Sequence, residues 1–113
     1  MKRGEIRWYT FRAPDKRRPV LILTRNQMLD KLTSVTVAPL TTTVRDIPSE
    51  VFLTPDDDGV LTPCAVNLDN IVTIARDQIG ALIAVVSAAR MMEVEQAICF
   101  ALGIDWTISP TIG

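Results

Sequence analysis

Histidine is absent from this chain of 113 residues, and cysteine occurs only twice, at Cys64 and Cys99. Without histidine, no catalytic triad built on a Ser-His or Cys-His pair and no mechanism built on two histidines is possible. Two thiols 35 residues apart cannot fill the tetrahedral shell of a zinc ion, and they are too few for a disulfide scaffold. The sequence therefore predicts neither a metal site nor a cofactor.

Long hydrophobic runs are missing as well. The longest apolar-rich stretch, residues 79–89, contains Gly80 and Ser87. It is about half as long as the roughly 20 residues that a membrane-spanning helix requires. No apolar segment of the kind found in secretion signals follows the charged N-terminus. We expect a cytoplasmic protein with no membrane partner, and the length predicts a single domain over residues 1–113.

Charge is distributed unevenly along the chain, although the net charge is only −1. Residues 1–45 contain ten Lys or Arg and three acidic residues, a net charge of +7. Residues 46–113 contain two Arg and ten acidic residues, a net charge of −8. A half this basic is typical of proteins that bind a phosphate-rich partner. Pairing of the two halves across the fold explains the same charges, so charge alone leaves both interpretations open.

Short apolar and β-branched stretches predict a mainly β protein. Strands are expected over residues 5–10, 19–24, 34–40, 49–53, 65–68, 71–74 and 82–86. Pro39 predicts that the third of these ends, bulges or lies at a sheet edge at that point. The stretches 65–68 and 71–74 form either a strand pair or one bent strand. Residues 11–17 and 54–63 are expected to be loops, the second with a solvated run of three aspartates, and residues 25–32 to form one or two helical turns.

One helix is predicted at the C-terminal end, over about residues 88–102. Apolar residues recur there at helical spacing, namely Met91, Val94, Ala97, Ile98, Ala101 and Leu102. Ser87 is a good N-cap, and Gly103 suits the position after the last turn in a Schellman motif. The predicted fold class is therefore mainly β with one C-terminal helix (α+β), arranged as a small curved sheet or SH3-like barrel.

The most basic cluster lies at the start of a buried strand. Lys16, Arg17 and Arg18 directly precede Pro19, where that strand begins. A guanidinium fixed at this junction can hold a phosphate through two parallel hydrogen bonds. A solvated basic loop explains the same three residues. Trp8, in the first strand, is able to stack on an unpaired base, although an aromatic residue there is more often part of the core.

Two further polar clusters are candidates for a functional site. Thr41 and Thr42 follow a predicted strand, and their hydroxyls either donate to a phosphate oxygen or cap a turn. Asp69 and Asn70 separate two apolar stretches. They either recognise a base edge or ribose, or form an Asx turn between strands.

Taken together, these segments resemble the MazF/PemK family of toxin endoribonucleases over nearly the whole chain. The matching landmarks are residues 3–5, 18–23, 37–42, 68–71 and 79–103. Each is weak alone, and their order and spacing carry the resemblance. Some segments depart from the family pattern. Glu5 replaces the frequent Asp, the 11–17 loop is shorter and more basic, and Asn70 replaces the usual Gln. Because that loop reads RNA in relatives, the sequence that is cut cannot be carried over.

The resemblance implies a compact barrel-like fold of the MazF/PemK/CcdB type and a homodimer with single-stranded RNA along the dimer groove. It identifies Arg18, before the Pro, and Thr41, after the Pro-Leu pair, as catalytic residues. The residues expected to bind RNA are Arg12, Lys16, Arg17, Thr42, Asp69 and Asn70. It also implies a cognate antitoxin whose flexible acidic segment is attracted by the same basic loop.

The expected reaction is metal-independent attack of the ribose 2′-OH on its own phosphate, which leaves a 2′,3′-cyclic phosphate and a 5′-OH end. Arg18 is expected to stabilise the developing negative charge, with Thr41 donating a second hydrogen bond. The pKa of arginine, above about 12, makes it unsuitable as a general base. Water, Asp69 and Glu5 remain alternative proton carriers. The competing interpretations are a non-catalytic, CcdB-like protein-binding toxin and a degenerate family member that binds RNA without cutting it.

Overall fold

The computed structural model describes residues 1–11 and 16–105. The strands in that part of the chain are β1 (Glu5–Phe11), β2 (Lys16–Ile22), β3 (Ser34–Thr41), β4 (Glu50–Leu53), β5 (Cys64–Asn67), β6 (Val72–Ala75) and β7 (Ile79–Val85). The helices are α1 (Asn26–Leu29), α2 (Pro55–Asp58) and α3 (Ala88–Leu102), and 3-10 turns cover Leu68–Asn70 and Arg76–Gln78. None of the described helices is long and apolar enough to cross a membrane.

The seven described strands form one antiparallel sheet in the order β4-β5-β3-β2-β1-β7, with β6 paired to β3 beside β5. The path does not close, so β4 and β7 are its two ends within the described residues. The mainly β class with one long C-terminal helix is confirmed, and the sheet is open rather than a closed barrel. The loop predicted over residues 11–17 is shorter than expected, because Thr10 pairs with Arg17 and Phe11 with Lys16 across β1 and β2.

The longest strand, β3, changes its partner along its length. Its first half pairs with β6 through residues 34–37, and its end pairs with β5 through Leu40 and Thr41. Pro39 lies between these two ladders, where the missing proline N–H costs no hydrogen bond on that side. The expectation that the strand ends at Pro39 is therefore wrong. The strand-pair alternative for residues 65–68 and 71–74 is also wrong, because β5 and β6 both pair with β3 instead of each other.

The strand β2 lies between β1 and β3 and is buried on both faces. Val20, Leu21 and Ile22 are all 0% exposed. Leu21 belongs to the apolar cluster that packs under α3, while Val20 and Ile22 belong to a second cluster with Leu29. An uninterrupted apolar run is what a strand in this position requires. The result is a rigid central strand that approaches the surface at Arg17 and Arg18, which are exposed and half-buried, respectively.

The helix α3 begins and ends as its capping residues predict. The Ser87 Oγ accepts a hydrogen bond from the Arg90 N–H at 3.1 Å. Gly103 has a φ of 71°, and the N–H of Ile104 donates to the Cys99 carbonyl at 2.8 Å, which closes the predicted Schellman motif. The helix buries Met91, Val94 and Ala97 against the sheet.

Candidate functional site

A cavity opens where β2 and β3 move apart. The ladder between them ends with Val20 opposite Pro39, after which β3 pairs with β5. Arg18 and Thr41 each lie two residues beyond that last pair. Both line a cavity of about 340 Å³. The divergence of two neighbouring strands therefore brings the two predicted catalytic residues to the same cavity.

The lining of this cavity is cationic and hydroxyl-rich. Its polar side chains are Arg17, Arg18, Thr41, Thr42 and Thr62, and no carboxylate is among the described residues that line it. The remaining lining is apolar and includes Leu40 of β3 and Ile83 of β7. Two guanidinium groups without a neighbouring acid favour an anion, and hydroxyl donors beside them suit phosphate oxygens.

Arg18 and Thr41 have different local surroundings. Arg18 is half-buried, and its side chain makes no hydrogen bond or ion pair with any residue in the described part of the chain. The Thr41 Oγ1 accepts a hydrogen bond from the N–H of Thr43 at 3.1 Å. An oxygen that accepts in this way keeps its own proton for a further acceptor. The pair can therefore offer a guanidinium and a hydroxyl donor to a bound anion.

Arg17, which directly precedes Arg18 in β2, stacks on an aromatic ring. Its guanidinium carbon lies 4.2 Å from the centroid of the Trp8 ring, and both side chains line the cavity. Trp8 is half-buried, so its ability to stack on an unpaired base stays a prediction. A Cβ at Gly80 would come within 3.4 Å of the Trp8 carbonyl oxygen, so the glycine lets β7 approach β1 closely here.

Asp69 and Asn70 lie away from this cavity, in the 3-10 turn after β5. The Asn67 Oδ1 accepts from the Asp69 N–H at 3.0 Å, and the Asp69 Oδ2 accepts from the Ser49 hydroxyl at 2.6 Å. These contacts fit the turn interpretation that the sequence left open. The two residues are exposed, but they are not neighbours of the cavity lining. Of the other predicted RNA-binding residues, Arg12 and the side chain of Lys16 lie outside the described part of the chain.

Glu5 is engaged in a separate interaction. Its Oε1 accepts from Arg7 Nε at 2.7 Å, and Arg7 also donates to the Gly80 carbonyl at 3.0 Å. Burial by itself raises the pKa of Glu5. Hydrogen bonds from Arg7 and the backbone of Lys2 outweigh that effect and hold the pKa below its ordinary value of 4.5. Neither Glu5 nor Asp69 lines the cavity, so neither carboxylate is placed to take a proton there.

The opposite wall of the cavity was not identified from the sequence. It is formed by Val60, Leu61 and Thr62, which follow α2. The aspartate run in α2 is not simply solvated, because the Asp58 side chain is only 3% exposed. Its Oδ1 accepts from Arg90 Nε at 2.9 Å, and its Oδ2 accepts from the Thr54 N–H at 3.0 Å.

Cys64 also borders the cavity, but its chemistry is that of a protonated thiol. Burial, followed by the negative charge of Asp58, raises the pKa of the Cys64 thiol above its ordinary value of 9.0. A thiol that is buried and protonated near neutral pH is a poor nucleophile. The chemistry available in the cavity is therefore that of Arg18, Thr41 and their polar neighbours.

Comparison with known proteins gives consistent matches over most of the chain. Residues 2–102 match the family model described as PemK-like, MazF-like toxin of type II toxin-antitoxin system. The endoribonuclease MazF3 of Mycobacterium tuberculosis is 42% identical over 97 residues, which cover 84% of this chain and 91% of that protein. Among solved structures, the Mycobacterium tuberculosis toxin MazF-mt6 is 38% identical with a TM-score of 0.82, covering 90% of this chain and 99% of that one. An endoribonuclease in complex with its cognate antitoxin, from a mycobacterial species, is 33% identical with a TM-score of 0.82, covering 94% and 98%.

Proposed function

The chain belongs to the PemK-like, MazF-like toxin family of type II toxin–antitoxin systems, and from this premise we propose that it is an endoribonuclease that cuts single-stranded RNA at a short sequence without a metal ion. The observation that carries the proposal is the cavity that Arg18 and Thr41 both line, without a carboxylate among its described lining residues. A site of this charge attracts a phosphodiester and lacks the acidic ligands that hold magnesium. The proposed place of action is the cytoplasm, where messenger RNA is available.

In the proposed mechanism, the ribose 2′-oxygen forms a bond to the adjacent phosphorus as the bond from phosphorus to the 5′-oxygen breaks. The 2′-OH proton leaves to water, and the departing 5′-oxygen takes up a proton, so the products are a 2′,3′-cyclic phosphate and a 5′-OH. Arg18 stabilises the negative charge that develops on the free phosphate oxygens, and Thr41 donates a second hydrogen bond. Water is the carrier that fits, because Glu5 and Asp69 lie outside the cavity lining.

The function is tested with protein freed from any antitoxin and incubated with a long single-stranded RNA in EDTA. We expect cutting at one short sequence, and no cutting of the same sequence within a duplex. Binding of RNA without any cutting would favour the degenerate RNA-binding interpretation. Neither cutting nor binding would favour a toxin that binds a protein target, of the CcdB kind.

We further propose that the chain acts as a homodimer whose second copy covers β7. This edge strand has no charged residue, and its Leu82 and Val85 are 49% and 63% exposed. An apolar edge of this kind is normally covered, because its free backbone groups pair readily with another chain. Ile83 of the same strand lines the cavity, so a second copy at this edge would extend the cavity into a groove.

Glutamate at both Leu82 and Val85 is expected to convert the dimer to a monomer, because two carboxylates would be buried in an apolar contact. The measurement is the molar mass in solution by light scattering at several concentrations. The matched control is glutamate at Met92 and Phe100, which are 62% and 61% exposed on α3 and should leave the dimer intact. Dissociation of the control alone would assign the interface to α3 and overturn the proposed placement.

A cognate antitoxin is the proposed protein partner, since a 33% identical relative was solved in complex with one. We propose that an acidic, flexible segment of the antitoxin enters the groove that RNA enters, so that inhibition is competition for one site. The support for this proposal is charge, because Arg17 and Arg18 line the cavity without a neighbouring acid among its described lining residues. An acidic segment gains the same attraction there as a phosphate backbone does.

Charge reversal at Lys16 and Arg17 is expected to weaken the binding of RNA and of the antitoxin together. The binding of each partner is measured separately, at two salt concentrations, because both contacts are screened by salt. The control is charge reversal at Arg25 and Lys31, two exposed cations outside the cavity lining. Antitoxin binding that is unchanged while RNA binding falls would contradict a shared groove.

A further inference from the structure

Trp8 and Arg17 form a stacked pair at the mouth of the cavity. The Arg17 guanidinium lies over the indole ring, with 4.2 Å from its carbon to the ring centroid. Arg17 is an exposed residue, and exposed arginine side chains gain little from fixed contacts in water. Here an aromatic face holds the planar group in one position.

The pair lies beside the residues proposed to act on the phosphate. Arg17 is adjacent to Arg18 in β2, and Trp8 pairs with Pro19 across the ladder between β1 and β2. All four residues line the same cavity. Because these residues line one cavity, a nucleotide whose phosphate is bound in it can reach the stacked pair with its base.

A guanidinium that lies on an indole with one face keeps its second face for another planar group, and Arg17 lines the cavity. Unpaired bases stack on both aromatic rings and guanidinium planes. We propose that Trp8 and Arg17 form a platform on which one unpaired base next to the cut stacks, which gives the enzyme a base subsite beside its phosphate site. This inference rests on the proposed function, and it assigns that site a further specificity-determining residue. Arg17 contacts the base, and Trp8 is a positioning residue that holds Arg17 in its plane.

The test removes the base from the RNA and, separately, the stacking side chains from the protein. An oligonucleotide carrying the mapped cut site is prepared with an abasic ribose at each of the two nucleotides on either side of the cut, one at a time. Removal of one base that stacks on such a platform lowers the affinity for RNA by roughly 5- to 150-fold. We expect the wild-type protein to lose affinity by this factor, as a rise in KM, at one of these positions.

The variants Arg17→Lys and Trp8→Phe are then compared on the same set. Arg17→Lys keeps the charge and loses the planar group, so it should bind the intact oligonucleotide weakly and show no further loss at the abasic position. Trp8→Phe keeps an aromatic face and should retain most of the sensitivity to the abasic position. The matched control is Arg25→Lys, an exposed arginine outside the cavity lining, which should behave as wild type.

A second measurement separates this inference from the proposed function. Binding is measured on the same oligonucleotides with a 2′-deoxy nucleotide at the cut, which cannot form the cyclic phosphate. If the wild type cuts RNA and Arg17→Lys keeps the full abasic sensitivity, the platform is wrong and the nuclease stands. If the wild type never cuts, the abasic series is made on a single-stranded oligonucleotide that it binds, and abasic sensitivity that Arg17→Lys removes would mean that the platform stands and the nuclease is wrong. If it neither cuts nor binds, both are wrong.

Discussion

Replacement of Arg18 by alanine is expected to lower the rate constant of RNA cutting by about 10²–10³-fold, the usual cost of losing one preorganised donor to a charged transition state. Arg18 is anchored on a strand whose next apolar residues are 0% exposed, so the guanidinium is held on a rigid support. It has no competing partner among the described residues. The measurement is single-turnover cutting of an oligonucleotide at saturating protein, which isolates the chemical step from binding.

Two comparisons make this result specific. Arg25→Ala removes the same charge from an exposed position outside the cavity and should cut at the wild-type rate. Thr41→Val keeps the β-branched shape and loses the hydroxyl, so it should also be slow, whereas Thr41→Ser should recover most of the rate. An Arg18→Ala protein that folds and cuts as fast as the wild type would contradict the assignment of this cavity as the active site.

Replacement of Arg90 by alanine is expected to lower the free energy of unfolding by about 3 kcal/mol, near the lower end of the range for breaking a buried ion pair. The Asp58 side chain is 3% exposed and would lose its charged partner, which leaves the Thr54 N–H as its remaining hydrogen-bond donor among the described residues. The lower end applies because the Arg90 side chain is 26% exposed, so water partly screens the pair. Urea unfolding of wild type and variant measures the difference.

The matched control for Arg90 is Arg76, whose pair with Asp30 is longer, 3.7 Å, and largely exposed. Arg76→Ala should cost less than about 1 kcal/mol, as surface ion pairs do. Equal losses of unfolding free energy in the two variants would show that the burial of Asp58 adds nothing to the contribution of its ion pair. Because Asp58 closes the turn that precedes Val60 and Thr62, we also expect Arg90→Ala to raise KM for RNA by loosening that wall of the cavity.

Much of the fold follows from local sequence signals. The helix α3 has the predicted bounds because Ser87 and Gly103 stop it at both ends through backbone hydrogen bonds that involve only neighbouring residues. The buried strand was predictable because a central strand needs apolar residues on both faces. Of the three alternatives for Pro39, an end of the strand was wrong, because the effect of a proline depends on which strand lies beside it. The interior of β3 tolerates this proline only because two different strands pair with β3 on either side of that position.

The candidate site was predictable only in part. Arg18 and Thr41 come from two strands that neighbour each other in the sheet, so a family pattern in both strands is sufficient to suggest a common site. Asp69 lies in a turn, and its hydrogen bonds with Asn67 and Ser49 stabilise the fold rather than a bound ligand. The cavity wall at Val60 and Thr62 follows Asp58, whose partner Arg90 lies 32 residues away in the sequence. A run of acidic residues gives no local sign that one of them is buried, so this wall could not be predicted.

The most direct test of the account is the chemistry of the ends produced in EDTA. An oligonucleotide with the mapped cut site is compared with the same oligonucleotide carrying a single 2′-deoxy nucleotide on the 5′ side of the cut, and the products are identified by mass. We expect a 2′,3′-cyclic phosphate and a 5′-OH from the first, no cutting of the second, and no requirement for a metal. Cutting of the 2′-deoxy substrate, or products with a 3′-OH and a 5′-phosphate, would contradict it.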